Sequence, residues 1–217
     1  MNQKKKKEVQ ISKYQTGKKL IELISRLKVG YPPQNEDANI KLHHNWSKIG
    51  LTLLDYSNGT GDKTVICRCN IDPELVRYLF ENIKNMLFLA TTKPTASVFS
   101  YNEEKIISTK RNDDGTSPMN KFKISRIPVG QDGEPRKQPW IIQVENGSAV
   151  PETTRTGGTM AQKGSYKVHS TANITMTDKD MYVLLSDCVS YINNWEVVAG
   201  ANLIRYDISK DTKGENK

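Results

Sequence analysis

The chain has little of what most catalytic and metal sites are built from. Its 217 residues include only three histidines and three cysteines. The carboxylates are scattered through turns and helix starts, without a paired-acid pattern. Gly157 and Gly158 stand in TRTGGT, which lacks the Gly-Lys-Ser/Thr of a P-loop. We therefore predict a protein without catalytic residues, cofactor or metal.

The cysteines are also too few and too irregular for a disulfide framework. Cys67, Cys69 and Cys188 are an odd number without a Cys-x-x-Cys pair, which is typical of reduced, packed thiols in a cytoplasmic protein. His43 and His44 precede the first two, but the usual spacing of a structural zinc site is missing. Cys188 lies on an apolar helical stripe, which favours burial over a nucleophilic role.

Long apolar runs are absent, so no membrane-spanning segment is predicted, and MNQKKKKEVQ has no apolar stretch of the secretory type. What the chain has is positive charge. The net charge is +8 and the pI is about 9.3, which favours a nucleic acid or another anionic partner. Residues 1–30 carry +7 and residues 101–170 carry +3, so most of the excess lies near the N-terminus.

Hydrophobic periodicity predicts three main helices. The first spans about 13–27 and follows a basic, disordered arm over 1–12. The second begins at Asp72, which is followed by Pro73. The third begins at Thr177, with Asp180 completing a short capping box. A short strand over 202–208 and a polar tail over 207–217 are predicted to end the chain.

Alternating segments predict the strands. These are a hairpin over 48–71 and strand candidates at 88–92, 95–101, 105–111, 120–127, 139–145 and 165–176, with a flexible loop over 145–164. The predicted fold class is therefore α+β, with antiparallel sheets and capped amphipathic helices. We expect a single domain over 13–206, with possible halves 13–88 and 89–206.

Two segments of the chain echo each other. CNIDPELVRYLFENIKN and ANITMTDKDMYVLLSDCVSYINN both place Asn-Ile before a capped helix and Ile-x-Asn near its end. Either a duplicated strand-strand-helix unit or convergence explains this echo, since any capped amphipathic helix after a strand looks similar.

These two units, with the basic strand NKFKISRI, resemble Whirly-type single-stranded DNA-binding proteins in plan over about 45–197. The resemblance implies two antiparallel sheets, each followed by a helix, and binding of single-stranded DNA. The family's lysine-rich motif is absent, so no family residue is carried over.

The predicted function is binding of single-stranded DNA or RNA, without sequence preference, through a basic sheet face and the flexible loop. The candidate binding residues are Tyr101, Lys110, Arg111, Lys121, Lys123, Arg126, Arg136, Lys137, Arg155, Lys163, Lys167 and His169. The lysines of 120–127 either bind phosphate or only solvate a sheet face. The 145–164 loop either closes over a strand or is a plain surface loop.

Phe122 and Trp140 are either stacking or core residues, and their phase with aliphatic neighbours favours the core. The alternative function is a protein-interaction module, such as a phage or mobile-element inhibitor or assembly subunit, with Trp140 and Trp195 as anchors where exposed. A homo-oligomer is possible, through sheet edges or helix stripes.

Overall fold

Two four-stranded antiparallel sheets form the body of the protein. The computed structural model describes residues 8–28, 47–107 and 109–214, without the side chains of 202–214. Sheet A contains, in spatial order, β1 (Val9–Gln15), β2 (Lys19–Arg26), β3 (Lys48–Asp55) and β4 (Val65–Ile71). Sheet B contains β5 (Phe99–Ile106), β6 (Ser117–Arg126) and β7 (Trp140–Ala149), followed after a small hairpin of β8 (Pro151–Thr153) and β9 (Thr159–Ala161) by β10 (Lys167–Met176).

Each sheet is followed by a helix, α1 (Pro73–Thr92) after sheet A and α2 (Asp178–Gly214) after sheet B. Pro73 opens α1 because a first-turn residue needs no N–H partner. The Asp180 N–H donates to Thr177 Oγ1 at 3.1 Å, and Thr177 Oγ1–H donates to Asp180 Oδ2 at 2.6 Å, which is the predicted capping box. The predicted α+β architecture is confirmed.

The sheets pack face to face, and the two helices complete the core. β4 contacts β6, β7 and β10, while β10 contacts β2, β3 and β4, so each sheet's end strand crosses the inner face of the other. α2 covers β1, and Tyr78 of α1 packs on Tyr101 of β5. One continuous apolar core, including the buried Cys67 and Leu79, therefore holds both halves together. The outer faces of both sheets point away from it.

The helix predicted over 13–27 is wrong, because this segment forms β1 and β2. Leu20, Ile21, Leu23, Ile24 and Leu27 match helical spacing, but only Ile21 and Leu23, two residues apart, are fully buried. Pairing of β2 with both β1 and β3 satisfies the backbone of the segment and overrides its helical pattern. β1 also begins at Val9, inside the predicted arm, whereas residues 1–7 lie outside the described residues.

Several predicted boundaries differ from the observed ones, in most cases because a neighbouring helix or strand is longer than predicted. α1 continues to Thr92 through the strand candidate 88–92, and α2 continues to Gly214 through the predicted strand 202–208 and most of the predicted tail. The predicted loop 145–164 is also wrong, since β7 runs to Ala149 and β8 pairs with β9. β5 ends at Ile106 and so covers only Lys105 and Ile106 of the strand candidate 105–111.

Candidate nucleic-acid interface

One end of sheet B gathers half of the predicted binding residues. In this antiparallel meander, β5 and β7 end where β6 and β10 begin. The β5–β6 turn, the β8–β9 hairpin and the start of β10 therefore emerge together, and we name their six predicted residues the sheet B end. These residues are Lys110, Arg111, Arg155, Lys163, Lys167 and His169, and all six are exposed. The acids of the same end are Asp113, Asp114 and Glu152, leaving an excess of two positive charges with His169 neutral.

The β8–β9 hairpin holds Arg155 and Lys163 near this end by backbone hydrogen bonds. The Gln162 N–H donates to the Val150 carbonyl at 2.8 Å, and the Thr154 N–H donates to the Gly158 carbonyl at 2.8 Å. β9 contacts β5, the opposite edge strand from β10. The hairpin thus lies across the end of the sheet, and its two cations stand on an ordered support.

The turn between β5 and β6 lies close to the start of β10. Hydrogen bonds from Thr116 and, more weakly, the nearby charge of Lys167 lower the pKa of Asp114. Arg111 Nη1 donates to the Gly115 carbonyl at 3.1 Å, which places the guanidinium over its own turn. Cations from two separate chain segments therefore share one surface.

A bulge in β10 changes which side chains face outward. The register with β7 shifts between Val168 and Ser170, at His169, whose Nε2 lies 3.1 Å from Ser148 Oγ. Regular alternation along the strand candidate 165–176 would place Tyr166 and Val168 on the buried face with Ala172, but the bulge prevents this and Val168 is 53% exposed. The Tyr166 ring instead lies on the lysine-bearing outer face, with Lys121 Nζ 4.3 Å from its centroid.

The outer face of sheet B carries the two predicted strand lysines, but it is electrically balanced. Lys121 Nζ pairs with Glu104 at 2.8 Å, and Glu145 stands opposite Lys121 on β7. Lys123 is exposed and lies opposite Asn102 and Gln143. Two lysines and two glutamates make this face polar rather than basic, so the positive charge of sheet B is concentrated at its end.

Tyr166 packs tightly on Gly147, and this contact yields a test of the bulge. A Cβ at Gly147 would meet the Lys167 carbonyl oxygen at 2.2 Å and the Tyr166 ring at 2.7 Å. Gly147→Ala is expected to destabilise the protein by about 2–3 kcal/mol, because the backbone must shift. Gly17→Ala, where nothing lies within 4 Å, serves as the control in urea unfolding. Equal stability of both variants would contradict this packing.

Arg126, one of the predicted binding residues, is buried inside the fold. Its side chain is 4% exposed because it is in phase with Phe122 and Ile124. Arg126 Nε and Nη2 donate to the Asp178 carboxylate at 2.9 Å each, and Nη1 donates to the Ser97 carbonyl at 2.9 Å. The guanidinium therefore ties β6 to the start of α2 and has no surface left for phosphate.

The aromatic candidates belong to the core side of sheet B. Phe122 and Trp140 are buried, and Trp140 Nε1 donates to Asp178 Oδ1 at 2.7 Å. Tyr101 packs between Tyr78 and Phe122, with ring centroids 6.2 and 6.4 Å away. Tyr101 is thus on the opposite face of sheet B from Lys121, so the structure does not bring these two candidates together.

The last two predicted cations stand apart from the others. Arg136 and Lys137 are exposed in the connection between β6 and β7, at the opposite end of sheet B from Lys167. The structure therefore does not bring all twelve candidates together. It separates one group of six from this pair by the length of the sheet.

Cysteine chemistry is suppressed by burial. Cys67, Cys69 and Cys188 are buried, and burial raises the pKa of Cys69 and of Cys188 to about 12. Across 8–28, 47–107 and 109–214, no group of three potential metal ligands occurs. His43 and His44 lie outside these ranges.

Sequence reasoning overlooked Arg68 and Tyr166. Arg68 is an exposed β4 residue inside the predicted hairpin over 48–71, but its backbone contact with sheet B has no local sequence signal. The alternation of VICRCNI does place Arg68 opposite the buried Cys67 and Cys69. For Tyr166 no sequence signal existed, since a bulge breaks the alternation between it and Ala172.

No protein-family model, no curated protein and no solved structure matches this chain. Within the described part of the chain, no helix is long and apolar enough to cross a membrane.

Proposed function

We propose that this chain binds single-stranded nucleic acid, in particular single-stranded DNA, through backbone charge, without reading sequence and without catalysis. The observation that carries the proposal is the gathering of six exposed residues, five of them cations at neutral pH, at the sheet B end. They come from three chain segments that antiparallel pairing brings together. Such a surface suits a flexible polyanion, because each cation meets a separate phosphate.

Several features favour a single strand over a duplex. The cations stand on a turn, a narrow hairpin and a strand start, with the exposed Val168 among them. A single strand adapts to such an uneven surface and offers base faces to apolar side chains. Neither α1 nor the part of α2 up to Ala201 presents a row of cations of the kind that enters the major groove of a duplex.

The proposal is tested by fluorescence anisotropy with oligo-dT of about 30 nucleotides and with a duplex of equal length. Five phosphate contacts correspond to a salt slope of about −3.5, so affinity for the single strand is expected to fall roughly 100-fold between about 50 and 200 mM salt. The duplex is expected to bind more weakly than the single strand. Absence of binding to either at low salt would contradict the proposal.

The alternative, a protein-interaction module, is favoured by a different observation. Tyr78 and Phe88 of α1 and Val197 and Val198 of α2 are exposed apolar side chains on the helices. They could contact another protein or a second copy of the chain. Trp140 cannot serve as an anchor because it is fully buried. Light scattering after size exclusion decides whether the chain is a monomer or a homo-oligomer.

A further inference from the structure

The outer face of sheet A, which carries none of the sequence-predicted sites, has an exposed cation beside the sheet B end. Arg68 is exposed on β4, and its guanidinium forms no hydrogen bond or ion pair with the described residues. It lies opposite Thr52 on β3, and Glu22 follows on β2 in the same row. With strands about 4.8 Å apart, the Glu22 backbone stands roughly 10 Å from the Arg68 backbone, and the Glu22 carboxylate accepts a hydrogen bond from Gln10 of β1. The position directly opposite Arg68 is therefore uncharged, and the Arg26–Glu8 ion pair lies beside Asn70, two residues along β4.

A specific contact fixes Arg68 against sheet B. The Arg68 N–H donates to Asn146 Oδ1 at 2.8 Å, and Asn146 Nδ2 donates to the Arg68 carbonyl at 2.7 Å. Both backbone groups of Arg68 are thus held by one side chain of β7. Next to it, Cys67 Sγ lies 3.4 Å from Ser170 Oγ. Since Ser170 follows the bulged His169, this contact on the buried side of β4 places the strand, and with it Arg68, beside the start of β10.

Apolar side chains are exposed on both strands that meet at this junction. Ile66, two residues from Arg68 on the same face of β4, is 41% exposed, and Val168 of β10 is 53% exposed. Leu54 lies opposite Ile66 and is half-buried. A base can lie on such apolar side chains while its phosphate meets a guanidinium.

We propose that a bound single strand crosses from the sheet B end onto the outer face of sheet A, where Arg68 binds a phosphate and Ile66 contacts a base or sugar. This inference rests on the proposed function and extends its site to the second sheet. The backbone contacts with Asn146 pre-position Arg68, since they do not depend on its side chain. Its guanidinium has no internal partner to release in the described chain before it binds phosphate.

The test compares Arg68→Gln with Lys179→Gln, an equal loss of charge at an exposed residue on the first turn of α2. One lost phosphate contact is expected to lower the affinity for oligo-dT of about 20 nucleotides roughly fivefold at about 0.1 M salt and to reduce the salt slope by about 0.7. Lys179→Gln is expected to bind like the wild type. Urea unfolding checks that both variants keep wild-type stability.

The outcomes separate this inference from the function on which it rests. If the wild type binds and Arg68→Gln binds with the same affinity, the crossing is wrong, but the proposed binding at the sheet B end still stands. No binding by the wild type overturns both. A loss confined to Arg68→Gln, accompanied by loss of photo-cross-links from 4-thiothymidine to the 64–71 segment, supports the crossing.

Discussion

Replacing four cations of the sheet B end by glutamine is expected to weaken binding of oligo-dT roughly 600-fold at about 0.1 M salt. The four residues are Lys110, Arg111, Arg155 and Lys163. Each contact with a single-strand phosphate contributes about 0.7 to the salt slope, which corresponds to about a fivefold gain in affinity at this salt concentration. Four independent losses multiply to the stated factor, and the salt slope falls by about 2.8. Anisotropy titration at several salt concentrations measures both quantities.

The matched control uses the two cations at the other end of the same sheet. Arg136→Gln with Lys137→Gln removes exposed charge from a connecting segment, as the first variant does, and leaves the sheet B end untouched. Its affinity is expected to stay within about twofold of the wild type. If both variants lose the same affinity per charge removed, binding depends on total charge and the localised interface is wrong.

The second large effect concerns stability and centres on Asp178. Its carboxylate accepts hydrogen bonds from Arg126 and Trp140, and Arg126 is almost fully buried. Asp178→Ala is expected to destabilise the protein by about 2–3 kcal/mol, because it leaves a buried guanidinium and an indole N–H without their partner. This is less than the roughly 3–5 kcal/mol of a fully buried pair, since the Asp178 side chain is 37% exposed.

Two further variants separate the mechanism from general damage to the fold. Asp178→Ala combined with Arg126→Met is expected to regain part of the loss, because no unpaired charge then remains buried. Glu81→Gln, which removes an exposed partner of Lys84 on α1, is expected to change stability by less than about 0.5 kcal/mol. Urea unfolding measures the stability of each variant. If Asp178→Ala is as stable as Glu81→Gln, Asp178 does not stabilise the fold by pairing with Arg126 and Trp140.

The same carboxylate predicts a pH dependence. Burial opposes ionisation of Asp178, but the hydrogen bonds from Arg126 and Trp140 and the Arg126 charge outweigh it and lower the pKa below the ordinary 3.8. A lowered folded-state pKa adds stability above the unfolded pKa and loses it as the pH falls through the folded value. The stability difference between wild type and Asp178→Ala should therefore be constant near neutral pH and shrink below about pH 4.

Local signals predicted the helices after each sheet and most strands of sheet B. Asp72-Pro73 and Thr177 with Asp180 mark α1 and α2 because capping chemistry is a property of a few adjacent residues. The Lys121 and Phe122 faces followed from alternation. The same alternation indicates that Arg126 is buried, since Arg126 is in phase with Phe122.

The first two strands of sheet A and the exact site were not predictable in the same way, although β3 and β4 form the predicted hairpin over 48–71. Leu20, Ile21, Leu23 and Ile24 fit a helix and a strand equally, and only pairing with β3 decides between them. The bulge at His169 depends on cross-strand packing against Gly147, which no local pattern encodes. The approach of Arg68 to Asn146 joins residues 78 positions apart, so sequence spacing gives no hint of it.

Cross-linking tests the central claim most directly, because it reports where the strand lies. Oligo-dT of about 30 nucleotides that carries 4-thiothymidine throughout would be irradiated with the full chain, and the attached peptides would be identified by mass spectrometry. The proposed interface predicts cross-links in the 107–117 turn and the 150–170 segment. Cross-links confined to 1–7, to 29–46 or to the 127–139 connection would contradict it, since the strand would then avoid the sheet B end.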